Sequence, residues 1–127
     1  MPSVIHFEIA VDDPERAIKF YSSVFGWKIQ KWEQFDYWLA STREEGELGI
    51  DGALMKREMA EQNIINTIEV PSIDEFLIKI KENGGTVLTP KMAIPGVGYT
   101  ARCRDTEENI FGILETDNNA NYSIAHI

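Results

Sequence analysis

The chain repeats one plan, and that constrains its fold more than any single motif does. Val4–Val11, VIHFEIAV, is followed by DDPERAIKFYSSVFGW. Ile64–Val70, IINTIEV, is followed by PSIDEFLIKIKENGG. Each half reads as strand, helix, glycine stop, then further strands. Val11 corresponds to Val70 and Gly26 to Gly85, a common offset of 59 positions (70 − 11 and 85 − 26). Identity between the halves is low, so the repeat is one of structure. Two unrelated strand-helix units would read the same way from residues alone. Paired units of this kind often enclose a pocket.

Helix starts and stops are well marked. Asp13 caps the first helix, Pro14 suits its first turn, and Ala17, Ile18, Tyr21, Val24 and Phe25 recur at helical spacing up to Gly26. Ser72 with Glu75 has capping-box spacing, and Ile73, Phe76, Leu77 and Ile80 form the apolar stripe of the second helix. Asn83-Gly84-Gly85 ends it. The remaining strands are expected at Trp27–Lys31, Phe35–Ser41, Ile50–Lys56, Thr86–Thr89, Tyr99–Arg104 and Ile110–Glu115. Pro90–Gly98 is expected to be a loop at a pocket mouth; it lacks the glycine-lysine pattern of a phosphate cradle. Arg57–Gln62 is the joint between the halves. The terminal TDNNANYSIAHI has weak order signals, and His126 within it is read as incidental.

Bulk properties bound the possibilities. The chain has 127 residues, fitting one domain, and is 43% apolar, enough to fill a core. A formal net charge of −9 argues against nucleic acid and anionic membranes as partners. Cys103 is the one cysteine, so a disulfide scaffold is excluded. No apolar run approaches a membrane span, and MPSVIHFEIA lacks the order of a signal peptide. A cytoplasmic location is expected.

On the first strand, His6, Glu8 and Ala10 share one face; Ile5, Phe7, Ile9 and Val11 share the other and should meet a helix. Arg102 and Arg104 share a face opposite Tyr99, Ala101 and Cys103. Facing inward, the arginines suit a carboxylate or phosphate; facing outward, they pair with the acidic surface. Trp27, Trp32, Tyr37, Trp38 and Tyr99 supply rings for a flat ligand, or fill cores. Tyr37 and Trp38 point opposite ways, so at most one lines a cavity. Cys103 reads as a buried inert thiol.

HFEIAVDDPERAIKFYSSVFGW and DTEENIFGILE resemble the opening and closing motifs of the vicinal oxygen chelate superfamily, which includes glyoxalase I, bleomycin-resistance proteins and extradiol dioxygenases. The combination of FGW, a glycine-bearing fourth strand and NIFG resembles an uncharacterised, glyoxalase-related bacterial subgroup. The resemblance spans residues 4–116. It implies an α+β fold of two βαβββ modules, 4–56 and 64–116, forming an open cup-shaped sheet within a single domain, and a homodimer. Metal-using members take one ligand each from their first, fourth, fifth and eighth strands. Those positions fall here on His6, near Gly52, on Ile65 and on Gly112, so only His6 offers a donor. The expectation is therefore no metal and no cofactor, with neither glyoxalase I nor extradiol dioxygenase activity. A rescue of the metal by His6, Glu8 and Glu69 would need their side chains to lean together.

Three functions stay open. The first is a binder of a small organic molecule, using Trp38, Tyr99, Arg102 and Arg104. The second is a lyase or other enzyme in which His6, Glu8 and Glu69 act as acid-base groups or as unorthodox ligands. The third is a dimer whose pocket is vestigial. His6 itself reads equally well as a working group and as a neutral imidazole bonded inside the cup.

Overall fold

The structure is a computed structural model and describes residues 1–120. It divides into two compact units, Ile5–Ile65 and Met1–Val4 together with Asn66 onward.

The first unit contains β1 (Ser3–Val11, entered at Ile5), α1 (Pro14–Phe25), β2 (Lys28–Lys31), β3 (Tyr37–Ser41) and β4 (Gly52–Lys56). Its strand order is β2-β3-β4-β1. β1 and β4 are parallel, with Phe7 opposite Gly52, Glu8 opposite Ala53 and Ala10 opposite Met55. β3 is antiparallel to β4, placing Tyr37 opposite Met55 and Trp38 opposite Leu54. α1 starts where Asp13 accepts a hydrogen bond from the Arg16 amide at 3.1 Å. It stops at Gly26, whose φ of 74° is left-handed. Tyr21 stacks on Trp27 at 4.8 Å, and Trp27 meets Phe7 at 5.8 Å. The odd face of β1 therefore turns to the helix, as the alternation of Phe7 with His6 and Glu8 predicts.

The second unit contains β5 (Ile64–Glu69, from Asn66 on), α2 (Ile73–Glu82), β6 (Thr86–Val87), β7 (Met92–Ile94), β8 (Gly98–Arg104) and β9 (Ile110–Thr116). The order is β5-β9-β8-β6, with β7 also on β8. β5 and β9 are parallel, as β1 and β4 are, so the repeated plan extends to strand direction. Val70, Ile73, Tyr99, Ala101 and Ile113 form the core, with Phe76, Leu77 and Ile80 of α2 packed against it. α2 is capped twice: Ser72 accepts from the Glu75 amide at 3.3 Å, and Glu115 Oε1 accepts from the Ile73 amide at 2.9 Å.

Several boundaries differ from expectation. Pro90–Gly98 is not all loop, because Met92–Ile94 pairs with Gly98–Thr100 in a tight hairpin. Pro95 occupies its turn, where the missing amide costs no ladder bond, and Gly96 adopts a φ of 78°. The third strand starts at Tyr37 because Phe35 belongs to a turn, its amide bonded to the Trp32 carbonyl at 3.2 Å. The start of the terminal segment is ordered: Asp117 accepts from the Asn119 amide, and Ala120 is buried in the core. His126 lies outside the described residues.

Candidate functional site

His6 and Tyr37 form the polar centre of the first unit. His6 Nε2 lies 2.8 Å from Tyr37 Oη, and both side chains are half-buried. The contact is not between ladder neighbours. Tyr37 stands opposite Met55, and Met55 opposite Ala10, four residues along β1 from His6. His6, Ala10 and Tyr37 share a face, and the two side chains lean along it to meet. Tyr37 adjoins Trp32 at 5.9 Å, and Trp32 adjoins Phe35 at 5.5 Å, so a run of rings extends from the hydroxyl toward the half-exposed Phe35.

Charge surrounds the imidazole. Burial pushes His6 below its ordinary value of 6.5, while the carboxylates of Glu8 and Asp51 pull it back up. Glu8 is buried at 7% exposure. Asp51 is exposed and fixed by the Thr42 amide, which donates to Oδ1 at 2.9 Å. Asp51 is a carboxylate near the imidazole that the sequence motifs did not single out. The fourth-strand position was read near Gly52, but Gly52 faces Phe7: a Cβ there would stand 2.6 Å from the Phe7 ring. Its neighbour Asp51 carries the carboxylate that, after Glu8, pulls His6 back up.

The other residues singled out from sequence scatter. Trp38 is opposite Leu54, itself opposite Ile9, so it lies on the face away from His6; Tyr37 is the ring that joins the imidazole. Glu69 is in the second unit, where Thr116 Oγ1 donates to its Oε2 at 2.6 Å. There it lines an open cleft of about 410 Å³ with Met1, Pro2, Val70, Pro71, Glu115 and Thr116. Tyr99 is 5% exposed in the core beneath Lys91, not at a binding surface. Arg102 is opposite Gly112, which is opposite Thr67. Arg102 and Arg104 therefore occupy the face opposite the helix-packed core, and Arg104 pairs with Glu108 at 3.5 Å. Cys103 is fully buried, and burial pushes its thiol up, as expected of an inert cysteine.

A divalent ion is poorly provided for. Gly52 and Gly112 have no side chain, and Ile65 is apolar and 1% exposed. A Cβ at Gly112 would already stand 3.2 Å from Thr67 Oγ1. Among the described residues, no group of three or more His, Cys, Asp or Glu is arranged to hold a metal.

Residues 3–42 match the sequence family described as bleomycin resistance protein-like N-terminal. Solved structures match over nearly the whole chain. A hypothetical protein from Bacillus halodurans superposes with a TM-score of 0.63 at 18% identity, covering 94% of this chain and 98% of that one. Methylmalonyl-CoA epimerase from Mycobacterium tuberculosis gives 0.59 at 15% identity, covering 98% and 91%. The likeness to these structures shows a shared fold, and the family match covers the first third of the chain. A shared fold does not select a reaction. Another superposing structure bears the name NAD-dependent benzaldehyde dehydrogenase, from Legionella pneumophila, with a TM-score of 0.62 at 16% identity over 88% of this chain and 98% of that one. No curated protein matches this chain. No helix among the described residues is long and apolar enough to cross a membrane.

Proposed function

We propose that this chain is a glyoxalase-related protein that binds a small organic molecule against His6 and Tyr37 without the metal that other superfamily members use. The observation that carries this reading is the half-buried His6–Tyr37 pair at 2.8 Å, with rings running outward from it. An imidazole and a phenol supply directional polar contacts, and Trp32 and Phe35 supply flat apolar area, a common composition for a small-molecule site. Glycine and isoleucine at the superfamily's other ligand positions support binding without metal. A homodimer in the cytoplasm is part of the proposal; a single, buried cysteine agrees with a reducing compartment.

A second reading is an enzyme in which neutral His6 takes a proton from substrate and Glu8 or Asp51 steadies the resulting imidazolium. The Coulombic pull of both carboxylates on His6 favours it, and methylmalonyl-CoA epimerases stand among the structural neighbours.

A screen of flat organic compounds by tryptophan fluorescence and thermal shift tests the first reading. Binders are expected to stabilise the protein and to weaken on Tyr37→Phe and His6→Ala. Binding unaffected by both substitutions would remove this site from consideration. Turnover of a bound compound, lost in His6→Gln, would select the enzyme instead.

A further inference from the structure

We infer that Asn83 is a site of spontaneous covalent modification: its side-chain amide is lost as ammonia through attack by the Gly84 backbone nitrogen, and the aspartate and isoaspartate produced weaken the end of α2. The site lies in the second unit and is independent of whatever the first unit binds.

The helix stop itself creates the susceptible pair. Asn83 caps α2, and Gly84 follows with a φ of 91°, a left-handed conformation that residues with side chains resist. A Cβ at Gly84 would also stand 3.3 Å from Thr106 Cγ2. The residue after Asn83 is thus held to one with no side chain to screen its nitrogen. Every other asparagine precedes a residue that has one; Asn63, Asn66 and Asn109 precede the β-branched Ile64, Thr67 and Ile110. Asn83 and Gly84 are both exposed, so water and hydroxide reach them. The chain also has an aspartate-glycine pair, Asp51–Gly52, but Gly52 is buried within β4.

The bonds that close the helix govern access. Asn83 donates to the Lys79 carbonyl from its backbone amide at 3.0 Å and from Nδ2 at 2.8 Å, and Gly84 donates to the Lys81 carbonyl at 3.2 Å. While these bonds hold, the Gly84 proton is engaged. The last turn is exposed, and helix ends open locally far more readily than cores. In the open turn a solvent base removes the Gly84 amide proton, and the nitrogen bonds to Asn83 Cγ. The Cγ–Nδ2 bond breaks and ammonia leaves with a proton, closing a cyclic imide. Water then opens the ring at either carbonyl. One water enters and one ammonia departs, with no change of oxidation state. The ammonium groups of Lys79 and Lys81, in the same turn, favour the anion formed on the way.

The product no longer fits its place. A carboxylate has no hydrogen to donate to the Lys79 carbonyl, and it adds negative charge where the helix dipole is already negative. Isoaspartate also inserts a methylene into the backbone at the stop, shifting Gly85 from its 2.8 Å bond to the Ile80 carbonyl. Ile80 packs on the core of the second unit, so the loss extends from the helix end to the packing beneath it.

Peptide mapping by mass spectrometry tests the reaction on the full chain incubated at mildly alkaline pH. Position 83 is expected to gain the mass difference between NH2 and OH faster than Asn63, Asn66 and Asn109, mostly as isoaspartate, and the rate should rise with pH. Conversion at Asn83 no faster than at those three overturns the inference. Urea unfolding tests the consequence. Freshly made Asn83→Asp should lower the folded-to-unfolded ratio about two- to fivefold, the worth of a charge at a helix end. Aged protein should fall further, because it also carries isoaspartate. Asn83→Gln, whose longer side chain closes a ring far more slowly, should hold its midpoint over the same period. Full conversion at Asn83 with an unchanged midpoint, or an equal decline in Asn83→Gln, overturns the weakening of α2.

Discussion

His6 shows what one side chain gains and loses by being drawn into a fold. Desolvation lowers its affinity for a proton, and Glu8 and Asp51 recover only part of it. In the unfolded chain the imidazole titrates near 6.5. Between the lowered folded value and 6.5, the unfolded state holds more protons than the folded one. The contribution of His6 to stability is therefore complete above 6.5 and declines as pH falls through 6.5 toward the folded value. Urea midpoints measured from pH 7.5 to 5 should drop more steeply for the unaltered protein than for His6→Gln; parallel curves would show that the imidazole is not desolvated. Gly52 is a second case. Its position leaves a Cβ no space, with the Phe7 carbonyl oxygen 2.5 Å and the ring 2.6 Å away. Gly52→Ala should cost about 1–3 kcal/mol by overpacking, read as a lower denaturation midpoint at constant slope.

At the scale of elements, local chemistry decided most of what forms. Asp13, Pro14 and Gly26 bound α1, and Ser72 bounds α2 at its start, each doing in the structure what its residue type predicts. Asp13→Ala should cost about 1 kcal/mol and fray the first turn of α1, visible as faster amide exchange at Arg16. The turn between β8 and β9 is similarly self-contained. Asp105 accepts hydrogen bonds from the Glu107 amide at 2.8 Å and the Asn109 amide at 2.9 Å, and the bonds from Asn109, then Glu107, hold its carboxyl below the ordinary value of 3.8. Its contribution is present above pH 3.8 and disappears as pH falls through the folded value, so Asp105→Ala should flatten the extreme acid limb of a stability curve. The elements misjudged from sequence were those ended by pairing. β7 exists because β8 offers it a partner, and β3 starts late because a turn claims Phe35. Neither outcome is encoded in the propensities of those residues alone.

For the molecule as a whole, the binder reading predicts the result of elemental analysis. Protein desalted after exposure to nickel, zinc, manganese or ferrous iron should retain far less than one ion per chain. Stoichiometric retention, lost on His6→Ala, would move the function to a metal-dependent lyase or oxygenase. The repeat, the helices, the fold and the faces of β1 and β8 were legible in the chain, because caps, glycine stops and strand alternation are local and each residue carries its own part of the signal. The partner of His6 was not. Alternation shows that Tyr37 or Trp38 can face a pocket, but only the register of β1, β4 and β3 selects Tyr37 and carries it four residues along the face to the imidazole. The same register turns Gly52 toward Phe7. Which strand faces oppose each other depends on how separate segments pair, and that is decided only when the sheet forms.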